Sequence, residues 1–131
     1  MKERPSPNHD ERKLPVSMLV LHYTGMPDAA SAIDWLANPE SKVSAHYVVT
    51  EEGEVVRMVA EDKRAWHAGK SWWRGITDVN SASIGIEIVD VHSRDPDTVL
   101  RNADLALYKA KADGRGLFRL FEPALHVLAT H

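Results

Sequence analysis

The chain has 131 residues, 44% hydrophobic and 27% charged, with a net charge of -3. That suits one soluble globular domain with a sizeable core, and it predicts no non-specific affinity for nucleic acid or anionic membranes. The absence of cysteine excludes disulfides and thiolate zinc ligands, so any metal site must draw on His, Asp or Glu.

Residues 1 to 15 are polar, carry prolines and read as an extended arm. They lack the apolar core of a signal peptide, so a cytoplasmic product is expected unless a leader has been trimmed. "VSMLVLHYT", 16 to 24, has the composition of a buried strand with a polar end. In "PDAASAIDWLAN", Ala29, Ala32, Ile33 and Leu36 recur at helical spacing, and Asn38-Pro39 ends the helix. "SAHYVVTEEGEVVRMV" predicts a β-hairpin turning at Gly53. The segment from Ala60 to Asn80 has no periodicity, holds three of the four tryptophans and reads as a long surface loop. "SIGIEIV", 83 to 89, is a strand. In the last third, Asp95 caps and Pro96 opens a helix whose stripe runs from Val99 to Ala110, with Gly114 as its C-cap. "LFRLFEP" is a short strand and "ALHVLATH" a ragged end. The fold expected is α/β. Strands near 17–22, 44–50, 54–59, 83–89 and 117–121 form a central mixed sheet, flanked by helices near 28–37 and 97–112.

The seven histidines are the main chemical signal. His9 lies in the polar arm and reads as solvated. His22 ends a buried strand, where catalytic and metal-binding groups of α/β folds project, although a hydrogen-bonded structural histidine has the same pattern. His46 and His67 are open to the same two readings. No HExxH motif occurs, which argues against a helical metalloprotease site. Glu87 sits inside an apolar run. It is either a solvated residue of an edge strand or a carboxyl in a cleft, tuned for proton transfer. Trp66, Trp72 and Trp73 suggest a stacking surface or a lid over the core.

"VLHYT", "SAHYVV", "RAWHAG" and "NSASIGIEIV" occur in that order. With their spacing they resemble the zinc-dependent N-acetylmuramoyl-L-alanine amidases of the amidase-2 family, which also contains peptidoglycan recognition proteins. The likeness runs over about residues 4 to 89, and "RPSPNHDER" resembles the start of such domains in proteobacteria. It implies a bacterial enzyme that hydrolyses the amide between the lactyl group of N-acetylmuramic acid and L-alanine, in peptidoglycan or muropeptides. It further implies that His22 is the first zinc ligand and Glu87 the residue that activates the metal-bound water. His46, Trp66, His67, Trp72 and Trp73 are expected to contact substrate.

The family's later stretch, of the form "GHSDVAPGRKxDPG", is missing here, so the zinc ligand set expected from the sequence is incomplete. His92, His126 and His131, or the carboxylates Asp90 and Asp95, are the residues that could complete it. Instead, "DPDTVLRNADLALYKAKADGRGLFRLFEP" resembles the C-terminal end of a GGDEF diguanylate cyclase domain, over about 95 to 123, without its signature loop. The implied organisation is a chimera. Residues 1–91 are the N-terminal part of an amidase-2-like domain, and residues 92–131 are a cyclase-like fragment packed into the same globule. The alternatives to an amidase are a non-catalytic muropeptide-binding module and an inactive scrambled product.

Overall fold

A computed structural model describes residues 2–24, 26–89 and, as backbone only, 126–130. The expected helix at 97–112 and strand at 117–121 lie outside these residues, as do His92, Asp90, Asp95 and His131.

The described elements are β1 (Lys2–Glu3), β2 (His9–Glu11), β3 (Met18–Thr24), α1 (Ala29–Ala37), β4 (Tyr47–Val49), β5 (Val55–Arg57), β6 (Lys63–Ala65), α2 (Val79–Ala82), β7 (Ser83–Val89) and β8 (His126–Thr130). The described strands make a six-membered mixed sheet of order β1-β5-β4-β7-β3-β8 and a separate ribbon of β2 and β6. Only β4 and β5 pair antiparallel within the large sheet, as the hairpin expected from the sequence. Gly53 makes its turn at φ 82°, a left-handed conformation that costs glycine little, and its N–H donates to the Thr50 carbonyl.

The centre of the sheet is β7, paired parallel to β3 on one side and to β4 on the other. Side chains alternate across a strand, so each central strand writes two patterns. On one face Leu19 and Leu21 of β3 meet Ile84, Ile86 and Ile88 of β7 and Tyr47 and Val49 of β4 in one buried cluster. The other face is divided. Leu36, with Ile33 of α1 against it, packs with Val48, Val56 and Val89. Met18 and Val20 pack with Val79 and Ala82, with Trp73 against them. Between these two apolar patches the same face carries the polar side chains of β3 and β7.

Helix α1 forms for local reasons. The Asp28 carboxylate accepts the Ser31 N–H at 2.7 Å, and this hydrogen bond holds the carboxyl below its usual range. Asn38 closes the other end with its N–H on the Trp35 carbonyl, and Pro39 cannot continue the helix.

Three expectations are corrected. The arm contains β1 and β2, strands of two and three residues that are too short to carry a period. The tryptophan-rich loop contains β6 and α2. The ragged end contains β8, whose identity depends on pairing with β3 rather than on its own five residues. The arm is also anchored. The Arg12 guanidinium donates to the carbonyls of Glu61, Lys63, Ser81 and Ser83, tying the small ribbon to the start of β7. The buried Asn8 amide donates to the carbonyls of Asn38 and Val43, both at 2.9 Å. Asn8→Ala strands those acceptors. It should cost roughly 1–3 kcal/mol, the desolvation penalty of unsatisfied buried groups; an unchanged urea midpoint would show that the arm does not brace the helix end.

Candidate active site

The β3–β7 register sets His22 beside Glu87. Both lie on the face that also carries Ser83 and Gly85, because all three β7 residues share one parity in "SIGIEIV". A cleft of about 220 Å³ opens over them. His22, His67 and Glu87 line it on the sheet side, and Ala32, Trp35 and Leu36 of α1 form the opposite wall. The strand is interior, so the reading of Glu87 as a solvated edge residue does not hold.

His67 is delivered from the loop after β6. The Asn80 Oδ1 accepts the N–H groups of both His67 and Ala68, at 3.0 and 2.8 Å. The Ser44 hydroxyl accepts the N–H of Trp66 at 2.9 Å. Pinned in this way, the His67 ring lies on Gly85, where a Cβ would come within 2.4 Å of the ring carbon Cγ. His67 Nδ1 is 2.8 Å from His22 Nε2, and His67 Nε2 is 3.0 Å from the Ser83 hydroxyl.

Burial governs the protonation of the site. It raises the Glu87 carboxyl to about 7 and lowers His22 to about 4. Burial first, and then the neighbouring His22, His46 and cationic Arg12 and Arg64, hold His67 well below its ordinary value. Near neutral pH the cleft therefore contains neutral imidazoles and a carboxyl poised between its two forms, which is the range in which proton transfer is most effective.

The other expected site residues are placed differently. His46 has 0% exposure. Its Nδ1 accepts the Gly85 N–H at 3.0 Å, so its Nε2–H donates to the Lys63 carbonyl at 2.8 Å. Burial, reinforced by Arg12, lowers it to about 4. It is fully buried and does not line the cleft. Trp66, Trp72 and Trp73 do not line the cleft. Trp73 packs on the Met18–Val20 patch, and Trp72 is 68% exposed. The aromatic residue that does line it is Trp35, 48% exposed, which sequence analysis placed only in a helix. Ser83 and Gly85 were also missed, although their shared parity with Glu87 is a legible signal.

The fit to a metal is partial. His22 offers a neutral imidazole of the ligand type, but among the described residues no three His, Cys, Asp or Glu side chains gather to hold an ion. The backbone of His126 is not level with that of His22. It pairs with Met18, and Thr130 pairs with His22. Its backbone is therefore four residues away along the sheet, roughly 13 Å at about 3.3 Å per residue.

Two outcomes follow for the metal-free protein. Histidines held low contribute stability that is present above pH 6.5 and lost as pH falls towards 4. Glu87, held high, has the opposite sign: its contribution is present below about pH 4.5 and lost as pH rises to 7. At about 1.36 kcal/mol per pKa unit, three imidazoles outweigh one carboxyl. Unfolding free energy should thus fall between pH 7 and 5, and Glu87→Gln should steepen the fall. Urea melts across that range check this, and a rise on acidification would contradict it. Gly85→Ala should destabilise by about 1–3 kcal/mol, the usual cost of overpacking, since its methyl group meets the His67 ring; a neutral substitution would mean the ring is not seated there.

The comparisons agree with this geometry. Residues 12–117 match the family model described as N-acetylmuramoyl-L-alanine amidase, so the match extends beyond Val89, where the motif resemblance ends. The chain is 35% identical over 104 residues to the 1,6-anhydro-N-acetylmuramyl-L-alanine amidase AmpD of Escherichia coli, covering 64% of this chain and 56% of that one. It is 39% identical over 80 residues to the E. coli N-acetylmuramoyl-L-alanine amidase AmiD, covering 56% of this chain and 28% of the relative. The chain thus spans about half the length of its AmpD relatives. Its fold is similar to a crystal structure of an AmpD derivative, with TM-score 0.71 and 27% identity over 98% of this chain and 79% of that one. It is also similar to E. coli AmiD in complex with the substrate anhydro-N-acetylmuramic acid-L-Ala-D-gamma-Glu-L-Lys, with TM-score 0.63 and 27% identity over 95% of this chain and 51% of that one. With the motifs, the sheet and the cleft in agreement with the family match, the chain belongs to the N-acetylmuramoyl-L-alanine amidase family.

Proposed function

We propose that this chain hydrolyses the amide between N-acetylmuramic acid and L-alanine in muropeptides, with anhydro-muropeptides as the preferred class, and that hydrolysis requires zinc. The observation that carries the reading is the juxtaposition of His22 and Glu87 across one rung of the sheet, inside a cleft, with the carboxyl raised to about 7. The anhydro preference is supported by the likeness to AmpD and by the ligand in the AmiD complex. The resemblance assigns His22 to zinc. The remaining ligands would have to come from outside the described residues.

Glu87 supplies what amide hydrolysis demands of a protein side chain. As a carboxylate it takes a proton from the water that attacks the lactyl carbonyl. As a carboxylic acid it returns that proton to the nitrogen of L-alanine as the C–N bond breaks. In the metal-free protein burial raises this carboxyl to about 7. The wall formed by Trp35, Leu36 and Ala32 gives an apolar surface for the substrate. The tail sequence from Asp95 to Pro123 supports a graft of cyclase origin, and the amidase reading does not use it.

A second reading, non-catalytic muropeptide binding, is favoured by the lack of three gathered metal donors among the described residues. The two separate in one experiment: purified protein with anhydro-N-acetylmuramyl tripeptide, with zinc, and after chelation. Release of free peptide with zinc and its loss on chelation is expected. Glu87→Gln should lower kcat by about 10²- to 10⁴-fold, the usual contribution of a general base, with KM nearly unchanged. Ligand binding without peptide release, zinc present, would leave only the binding module.

A further inference from the structure

The hydrogen bonds around His67 have a direction that can be read from their fixed end. The Ser83 hydroxyl lies 2.6 Å from the Val79 carbonyl oxygen. A carbonyl cannot donate, so Ser83 spends its one proton there. Ser83 Oγ must then accept from His67 Nε2, 3.0 Å away. A neutral imidazole carries a single N–H, so His67 Nδ1 has the lone pair. The 2.8 Å contact between that atom and His22 Nε2 therefore uses the proton of His22. Two further contacts prevent the ring from shifting. Asn80 holds the backbone of His67 and Ala68, and only glycine at position 85 leaves room for the ring.

We propose that His67 is a positioning residue: with Ser83 and the Val79 carbonyl behind it, it locks His22 as the Nε2–H tautomer and leaves the His22 lone pair on Nδ1. The partner of a ring nitrogen sets which nitrogen of a histidine is available for chemistry. Here that setting traces back to one backbone carbonyl, that of Val79, the first residue of α2. What the bared nitrogen serves rests on the amidase reading; the tautomer itself does not.

The test is long-range 1H–15N correlation spectroscopy of the imidazoles in the full-length, metal-free protein at pH 7.5, paired with the hydrolysis assay. His22 and His67 should both show protonated Nε2 and bare Nδ1. In His67→Phe, His22 should lose that single signature and become a mixture of both tautomers, and hydrolysis should fall about tenfold or more, as when an orienting partner is removed. His67→Asn places an amide oxygen where Nδ1 was, so it should restore the Nε2–H signature. Ser83→Ala leaves both rings in place and removes only the fixed end, so it should mix the tautomers of both histidines. If His67→Phe does not fold, Ser83→Ala serves as the same test. A protonated Nδ1 on His22 in the wild type, or an unchanged tautomer in His67→Phe and Ser83→Ala, overturns the proposal. The Nε2–H signature in a wild type that hydrolyses nothing supports it while sinking the amidase reading.

Discussion

The parallel pairing of β3 with β7 is the constraint on which the rest of the molecule depends. Seven consecutive rungs, from Met18 with Ser83 to Thr24 with Val89, fix which side chains share a face. A slip of one residue would turn every β7 side chain over. Ile84, Ile86 and Ile88 would leave the apolar cluster they share with Leu19 and Leu21, and Glu87 would enter it. Each isoleucine buried is worth about 1.5–3 kcal/mol, so the hydrophobic face enforces the register. The register in turn places the chemistry. The carboxyl and the imidazole meet because three isoleucines, of the opposite parity, are held on the other side.

The same face shows how a small fold accommodates a polar interior. His22, His46, His67, Ser83 and Glu87 all lie in or beneath the cleft, where polar groups are costly unless partnered. His46 is held by the backbone of Gly85 and Lys63, and His67 by Ser83 and His22. Glu87 differs: burial raises its pKa, with no other cause offsetting it. A carboxyl raised in this way destabilises the fold at neutral pH, and such perturbed groups cluster at functional sites. The arm contributes to the same end. Arg12 fills carbonyls around the start of β7, and Asn8 fills those beyond α1, so the two walls of the cleft are braced from one segment.

The cleft also shows why family membership and catalytic competence are separate questions. The family match covers residues 12–117, and the fold is similar to that of an AmpD derivative. A metal site needs three donors converging on one point, and these come from segments far apart in sequence. Edge strand β8 runs parallel to β3 and brings Thr130, not His126, level with His22. A histidine's presence near the end of the chain thus says little about ligation, since the pairing register decides which residue arrives at the site.

By itself the sequence determined the elements whose signals are local. The apolar run of β3, the Asp28-capped α1 with its helical stripe, the Gly53 hairpin and the alternating β7 all carry their identity in consecutive residues, and each forms where expected. The ordered motifs likewise singled out His22 and Glu87, whose meeting the β3–β7 pairing then makes. Tertiary structure decided what depends on partners distant in sequence. β1, β2, β6 and β8 are short and acquire strand character only by pairing, β1 and β8 on the edges of the large sheet and β2 and β6 with each other. His46 and His67 look alike in the sequence. Yet one is sealed under the sheet by backbone partners, while Asn80 and Gly85 bring the other into the cleft. The loop tryptophans, prominent in composition, pack or project elsewhere, and Trp35 forms the wall because α1 crosses the sheet there. Local propensity is written along the chain. Burial, ring orientation and convergence on a site are properties of contacts between segments, and those exist only once the sheet has set its register.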